Sequence, residues 1–211
     1  MKFIIYLCGL WMITSTSFAH PTSFQGSKGV MGFHSPSFTH NQVNYSMKYW
    51  FAVGAHHYTR PNQDGKKQAS FVSSNFLLKR WNASNLQANL YTVLGAGESR
   101  LDGNSKSAGL LGFQFDIEDR DYYFLVKSSG IDNGSQTDLM SNTVRVGVTP
   151  YVDPYDGIHT WLILNWEEKR FFGEAKETDL TPTLRFFYRN LLFEIGQSFK
   201  GNTQFNYIAH F

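Results

Sequence analysis

The sequence predicts an all-β protein, a single closed antiparallel transmembrane β-barrel of about twelve strands. Three observations predict it. Apolar and polar side chains alternate with a period of two through most of the chain, and turn residues interrupt the alternation repeatedly. The connections alternate too: short after even strands, mostly longer and more polar after odd ones. That is the arrangement of an even-stranded barrel with short periplasmic turns and longer extracellular loops. Aromatic residues make up 17% of the chain, with 19 Phe and 11 Tyr, yet mean hydropathy stays polar at −0.32. An ordinary soluble core does not need so many rings, but a barrel with aromatic belts at two interfaces does.

The first element is a leader. Met1 to Ala19 carry Lys2, then the apolar run "FIIYLCGLWMI", then the small and polar "TSTSFA". This is the order of a secretory signal peptide, with Ser17-Phe18-Ala19 as the small-x-small site and cleavage after Ala19. A membrane-spanning helix needs roughly 20 apolar residues, and the run turns polar too soon. Cys8 lacks the small residue before it that a lipid anchor requires. The expected organisation is a cleaved signal peptide over 1–19 and one barrel domain over 20–211, with no cysteine left to form a disulfide. A formal net charge of only +2 gives nucleic acid binding no electrostatic support.

The strands expected are 26–34, 42–49, 51–60, 68–81, 86–97, 106–118, 121–130, 140–150, 158–167, 179–189, 191–199 and 203–211. Tight connections fall at Tyr49-Trp50, "NASN", "EDRD", "DPYDG" and Asn190. Longer ones are "SPSFTHN", "PNQDGKK", "ESRLDGNSK", "IDNGSQTD" and "EKRFFGEAKETD"; the turn from Lys200 to Asn202 is a short exception. Within strands the two faces differ clearly. The second sets Val43, Tyr45, Met47 and Tyr49 against Asn44, Ser46 and Lys48. The fifth sets Leu86, Ala88, Leu90 and Leu94 against Gln87, Asn89 and Tyr91. In the eighth, Val144, Val146 and Val148 oppose Arg145, Gly147 and Thr149. The tenth sets Leu184, Phe186 and Tyr188 against Thr181, Thr183, Arg185 and Arg189. In the eleventh, Leu191, Phe193 and Ile195 oppose Glu194, Gly196 and Ser198.

The last strand alternates to its end. Phe205, Tyr207, Ala209 and Phe211 share one face; Gln204, Asn206, Ile208 and His210 share the other. This ending resembles the C-terminal signal of bacterial outer-membrane β-barrels. The resemblance implies that barrel-assembly machinery reads Phe205, Tyr207, Ala209 and Phe211, and that the protein resides in the outer membrane of a Gram-negative bacterium. In hydrocarbon no backbone group can stay unpaired, so the last strand must pair with the first. Phe211 then belongs to the periplasmic aromatic girdle.

With the apolar face against outer-membrane lipid, the other face lines the lumen. Candidates there are Lys48, Arg60 and Lys79, then Asp116, Lys127 and Arg145, then Glu167, Arg185, Arg189 and Glu194. Twelve strands give a bore between barrels that side chains fill and open porins. Two readings stay open: charges that pair across a packed interior, or a narrow aqueous path mildly favouring anionic solutes.

His34, His40 and His56 fall at the extracellular ends of the first three strands, His20 and His210 on the periplasmic side. Imidazole suits several transition metals, and an N-terminal histidine can chelate copper. No tight ligand spacing such as H-E-x-x-H accompanies them, and no other cofactor is implied. No serine sits in a nucleophile elbow. The expected function is therefore non-enzymatic: a porin-like or structural envelope protein that passes small solutes or ions. The alternatives are an outer-membrane enzyme acting on lipid or lipopolysaccharide, and a soluble secreted β-barrel that binds a ligand with its apolar face inward. Neither the solute nor the oligomeric state is legible in the sequence.

Overall fold

A computed structural model describes residues 22–60, 67–101, 104–135, 137–151, 157–171 and 174–211. The expected leader and His20 lie outside them. Twelve strands run in chain order: β1 (Lys28–Ser35), β2 (Phe38–Lys48), β3 (Phe51–Thr59), β4 (Lys67–Asn82), β5 (Gln87–Leu101) and β6 (Asn104–Glu118). The second half comprises β7 (Tyr122–Asp132), β8 (Thr137–Val148), β9 (His159–Phe171), β10 (Glu177–Tyr188), β11 (Leu191–Gln197) and β12 (Thr203–His210). Each pairs antiparallel with its sequence neighbours, and β12 returns to β1, closing the ring.

Closure is made by backbone and by one shape match. Lys28 and Phe211 exchange hydrogen bonds, Phe211 N–H to Lys28 O at 2.8 Å and the reverse at 2.9 Å. Further along the seam Gly32 faces Tyr207. A Cβ on Gly32 would meet Tyr207 Cε1 at 2.3 Å, so the ring lies in the space a side chain would take. His34 stacks on the same ring, centroids 5.9 Å apart.

The faces are inverted relative to a soluble domain. Asn75 and Asn89 are fully buried and Glu194 is 2% exposed, whereas Val72 is 70% and Phe113 49% exposed. Alternation explains this, since every second residue faces the interior and the others form the outer wall. Leu94, Leu111, Val146, Leu162, Leu164 and Ile195 continue the exposed apolar belt. At the end that holds the start of β1 and the finish of β12 (the near end), exposed rings form a girdle. Its members are Tyr49, Trp50, Trp81, Tyr122, Tyr188 and Phe211.

Much of the sequence expected to loop at the far end is strand instead. β2 starts inside "SPSFTHN", and β5 and β6 take all of "ESRLDGNSK" except residues 102–103. These polar extensions pair because antiparallel partners continue the ladder; β4, with 16 residues, and β5 and β6, with 15 each, exceed the roughly 9–11 that span a bilayer. The longest connection, from Val148 to His159, lies at the near end.

Two register shifts correct the expected interior. One falls between Ser46 and Lys48 and the other between Leu77 and Lys79. A bulge adds one residue to one strand and reverses the facing of the residues beyond it. Lys48 is therefore exposed at the β2–β3 turn, and Lys79 is exposed opposite Leu90, not in the lumen. Arg80 takes the inward-facing place instead, exposed at the near-end mouth, its Nε donating to Asn89 Oδ1 at 2.6 Å. Arg189 also leaves the lumen. It is exposed in the β10–β11 turn with φ of 54°, its guanidinium 5.1 Å from the Tyr188 ring.

Candidate functional site in the barrel lumen

Inward-facing residues divide the lumen into three levels. Toward the far end, Tyr58, Phe71, Leu110, Ile131, Leu139 and Phe171 form a buried apolar cluster. Phe38 on β2 meets Phe171 on β9 across it, ring centroids 5.7 Å apart. Above this layer Arg60 spans to β10, its Nη2 3.0 Å from Glu177 Oε1, and Arg60 and Lys67 both bind Glu174. Hydrogen bonding from Lys67, then from Arg60, holds the Glu174 carboxyl below the ordinary carboxylate range, against the opposing push of partial burial. Toward the near end lie Tyr123, Leu125, Trp161 and Ile163, and separately Met31, Leu192 and Ile208.

Between these layers is a chamber of about 160 Å³. One wall, on β2 to β4, is uncharged and continuously hydrogen-bonded. His40 Nε2 is 3.0 Å from His56 Nδ1, and His56 Nε2 is 2.8 Å from Ser73 Oγ. Ser73 donates to Asn75 Oδ1 at 3.2 Å, while Asn75 and Gln42 both donate to Asn44 Oδ1. The other wall, on β7 to β11, is charged. Glu194 accepts from Arg185 Nε at 2.7 Å, from Arg145 Nη2 at 2.9 Å and from Asn206 Nδ2 at 2.8 Å. Lys169 Nζ lies 2.8 Å from Glu167 Oε2 on the same strand. Lys127 reaches from β7 toward Phe33 on β1, six strands away round the ring, its Nζ 5.4 Å from the ring centroid.

The structure thus brings Lys127, Arg145, Glu167, Arg185 and Glu194 together at one level. Arg60 stands at the far mouth. Asp116 lies elsewhere in the interior, accepting from Asn89 at 2.8 Å and Gln114 at 3.0 Å. Sequence reasoning missed Lys169, Arg80 and the Ser73–Asn75 pair; period-two alternation continued through β9 would have found Lys169.

The histidines do not converge. His40 and His56 form the buried pair in the uncharged wall, whereas His34 sits on the outer face beside Tyr207, and His210 lies at the near end against Gly29. Among the described residues no three His, Cys, Asp or Glu side chains group as a metal ion would need.

Ser73, His56 and His40 have the spacing of a nucleophile, a base and an orienting group. Ser73 Oγ, however, gives its proton to Asn75, and the adjoining strand amides belong to the sheet ladder. On the outer face His57 Nδ1 contacts Ser70 Oγ at 2.9 Å, but Ser70 stands between His57 and Glu98 in register, so no acid orients the imidazole. A hollow of about 1060 Å³ on the outer wall, lined by Phe124, Leu162, Leu164, Leu184 and Ile195, belongs to the apolar belt.

No family model matches the sequence, and no curated protein matches it. Among solved structures the chain is similar to a KdgM porin at 12% identity and a TM-score of 0.47, over 88% of this chain and 98% of that one. It is also similar to OpdK of Pseudomonas aeruginosa, solved with vanillate, at 11% identity and a TM-score of 0.43. That match covers 82% of this chain and 56% of OpdK. What this chain shares with both is a likeness of fold.

Proposed function

We propose that this protein is a non-enzymatic, porin-like barrel of the outer membrane that admits small solutes or ions to its lumen. The inverted burial pattern carries the reading. Contiguous exposed Val, Leu, Ile and Phe on the outer wall, with Asn, Arg and Glu buried inside, is unfavourable in water and favourable in a bilayer. Closure of the ring leaves no unpaired sheet edge, which hydrocarbon demands. The girdle of rings at the near end marks the level of an interface, the periplasmic one under the expected orientation. The apolar layer and the Arg60–Glu174 contacts narrow the far mouth, so passage is restricted to small species.

Expressed with its leader in a Gram-negative host, the protein is expected to fractionate with the outer membrane. Unboiled, it should migrate differently in gels from the boiled form. Recovery in the soluble periplasm without detergent would remove the basis of the proposal.

A further inference from the structure

The chamber has a charge imbalance that its own pairing does not remove. Its lining carries four cations, Lys127, Arg145, Lys169 and Arg185, against two carboxylates, Glu167 and Glu194. Glu194 is shared by both arginines, and Glu167 is taken by Lys169. Among the described residues Lys127 makes no ion pair: its Nζ lies over the Phe33 ring, and the nearby Glu167 that attracts it is bonded to Lys169. An ammonium withdrawn from bulk water without an anion in direct contact is costly, and Arg145 Nε is buried without a partner. The hydroxyls of Ser129, Ser141 and Thr143 also line this space. A carboxylate or phosphate group needs such an ammonium flanked by neutral donors.

We propose that the central chamber is a binding site for a small oxyanion, carboxylate or phosphate, with Lys127 as the residue that determines charge selectivity. The inference rests on the lumen being open to solutes, as proposed above. A chamber of about 160 Å³ has room for a small oxyanion group. Phe33 from β1 and the His40–His56 pair close the chamber opposite Lys127, so the one carboxylate near the ammonium is Glu167, which Lys169 already holds.

Two measurements on the refolded mature protein separate this site from passage itself. Sodium acetate and inorganic phosphate are titrated calorimetrically, in low-chloride buffer, into detergent-folded parent, Lys127→Met and Lys127→Arg, each checked for heat-modifiable migration. The parent is expected to bind at least one of the two anions, and the stronger distinguishes carboxylate from phosphate. Lys127→Met should weaken binding about tenfold or more, as expected for loss of one charged hydrogen bond, while Lys127→Arg retains it. If Lys127→Met does not refold, Lys127→Gln replaces it. Absence of binding in the parent, or parental binding in Lys127→Met, overturns the proposal. Reversal potential across a planar bilayer in a KCl gradient tests passage: anion preference in the parent should fall in Lys127→Met and persist in Lys127→Arg. A barrel that binds the anion without conducting keeps the site and loses the passage reading. One that conducts with neither binding nor Lys127-dependent selectivity keeps passage and loses the site.

Discussion

Replacing Glu194 with leucine is expected to destabilise the folded barrel by about 3–5 kcal/mol, the usual cost of leaving a buried ionic partner uncompensated. Glu194 is 2% exposed and holds Arg145, Arg185 and Asn206 with three contacts of 2.7–2.9 Å. Its removal leaves Arg145 and Arg185 without the carboxylate they share. Arg185 keeps its place over the Tyr123 ring, at 4.4 Å, but a cation–π contact of about 0.5–2 kcal/mol does not replace a shared carboxylate. Glu194→Gln retains an acceptor and should lose less than the leucine variant. The readout is a denaturant titration of barrels folded in lipid vesicles, tracked by tryptophan fluorescence. A shift below about 1 kcal/mol for the leucine variant would mean that water in the lumen screens the cluster as it does a surface pair.

Leu164→Arg carries the second large effect. Leu164 is exposed at the middle of β9, opposite Val146 on β8 and Pro182 on β10. An arginine facing lipid at mid-depth should cost about 2–4 kcal/mol, falling to about 0–1 kcal/mol near an interface. Tyr188→Arg, at the near-end turn, is the depth control. The same vesicle titration should separate the two. Equal losses would show that the outer face does not meet a hydrocarbon layer of graded depth.

The strand pattern was legible because period-two alternation runs through most of the chain, with turn residues between its segments. On β10 and β11, whose mutual pairing shows no register shift, Arg185 and Glu194 are buried where alternation sends them. Reading failed at bulges. Nothing in "SMKYW" or "FLLKRW" distinguishes a register shift from regular pleating, yet each moves a lysine to the outside, and the second gives Arg80 the inward-facing position. Arg189 failed for a different reason, since a strand was extended one residue into a turn. Contacts across the bore, such as Phe38 with Phe171 or Lys127 with Phe33, depend on stagger around the closed ring. No local pattern encodes that. The polar far-end extensions were mistaken for loops because projecting strands lose the apolar face that identifies them.

The central claim is that the face bearing Val146, Leu162 and Leu164 meets lipid and the face bearing Arg145 and Asn165 does not. The only cysteine, Cys8, belongs to the expected leader, so a mature chain beginning at His20 offers a thiol-free background. Spin labels placed singly from Trp161 to Glu167 on β9, in vesicles, would report collision with oxygen, which concentrates in hydrocarbon, and with a water-soluble nickel chelate. The account predicts oxygen accessibility peaking at 162, 164 and 166 and falling at 161, 163, 165 and 167, with a period of two. High nickel accessibility at 162, 164 and 166 would place the apolar wall in water and contradict it.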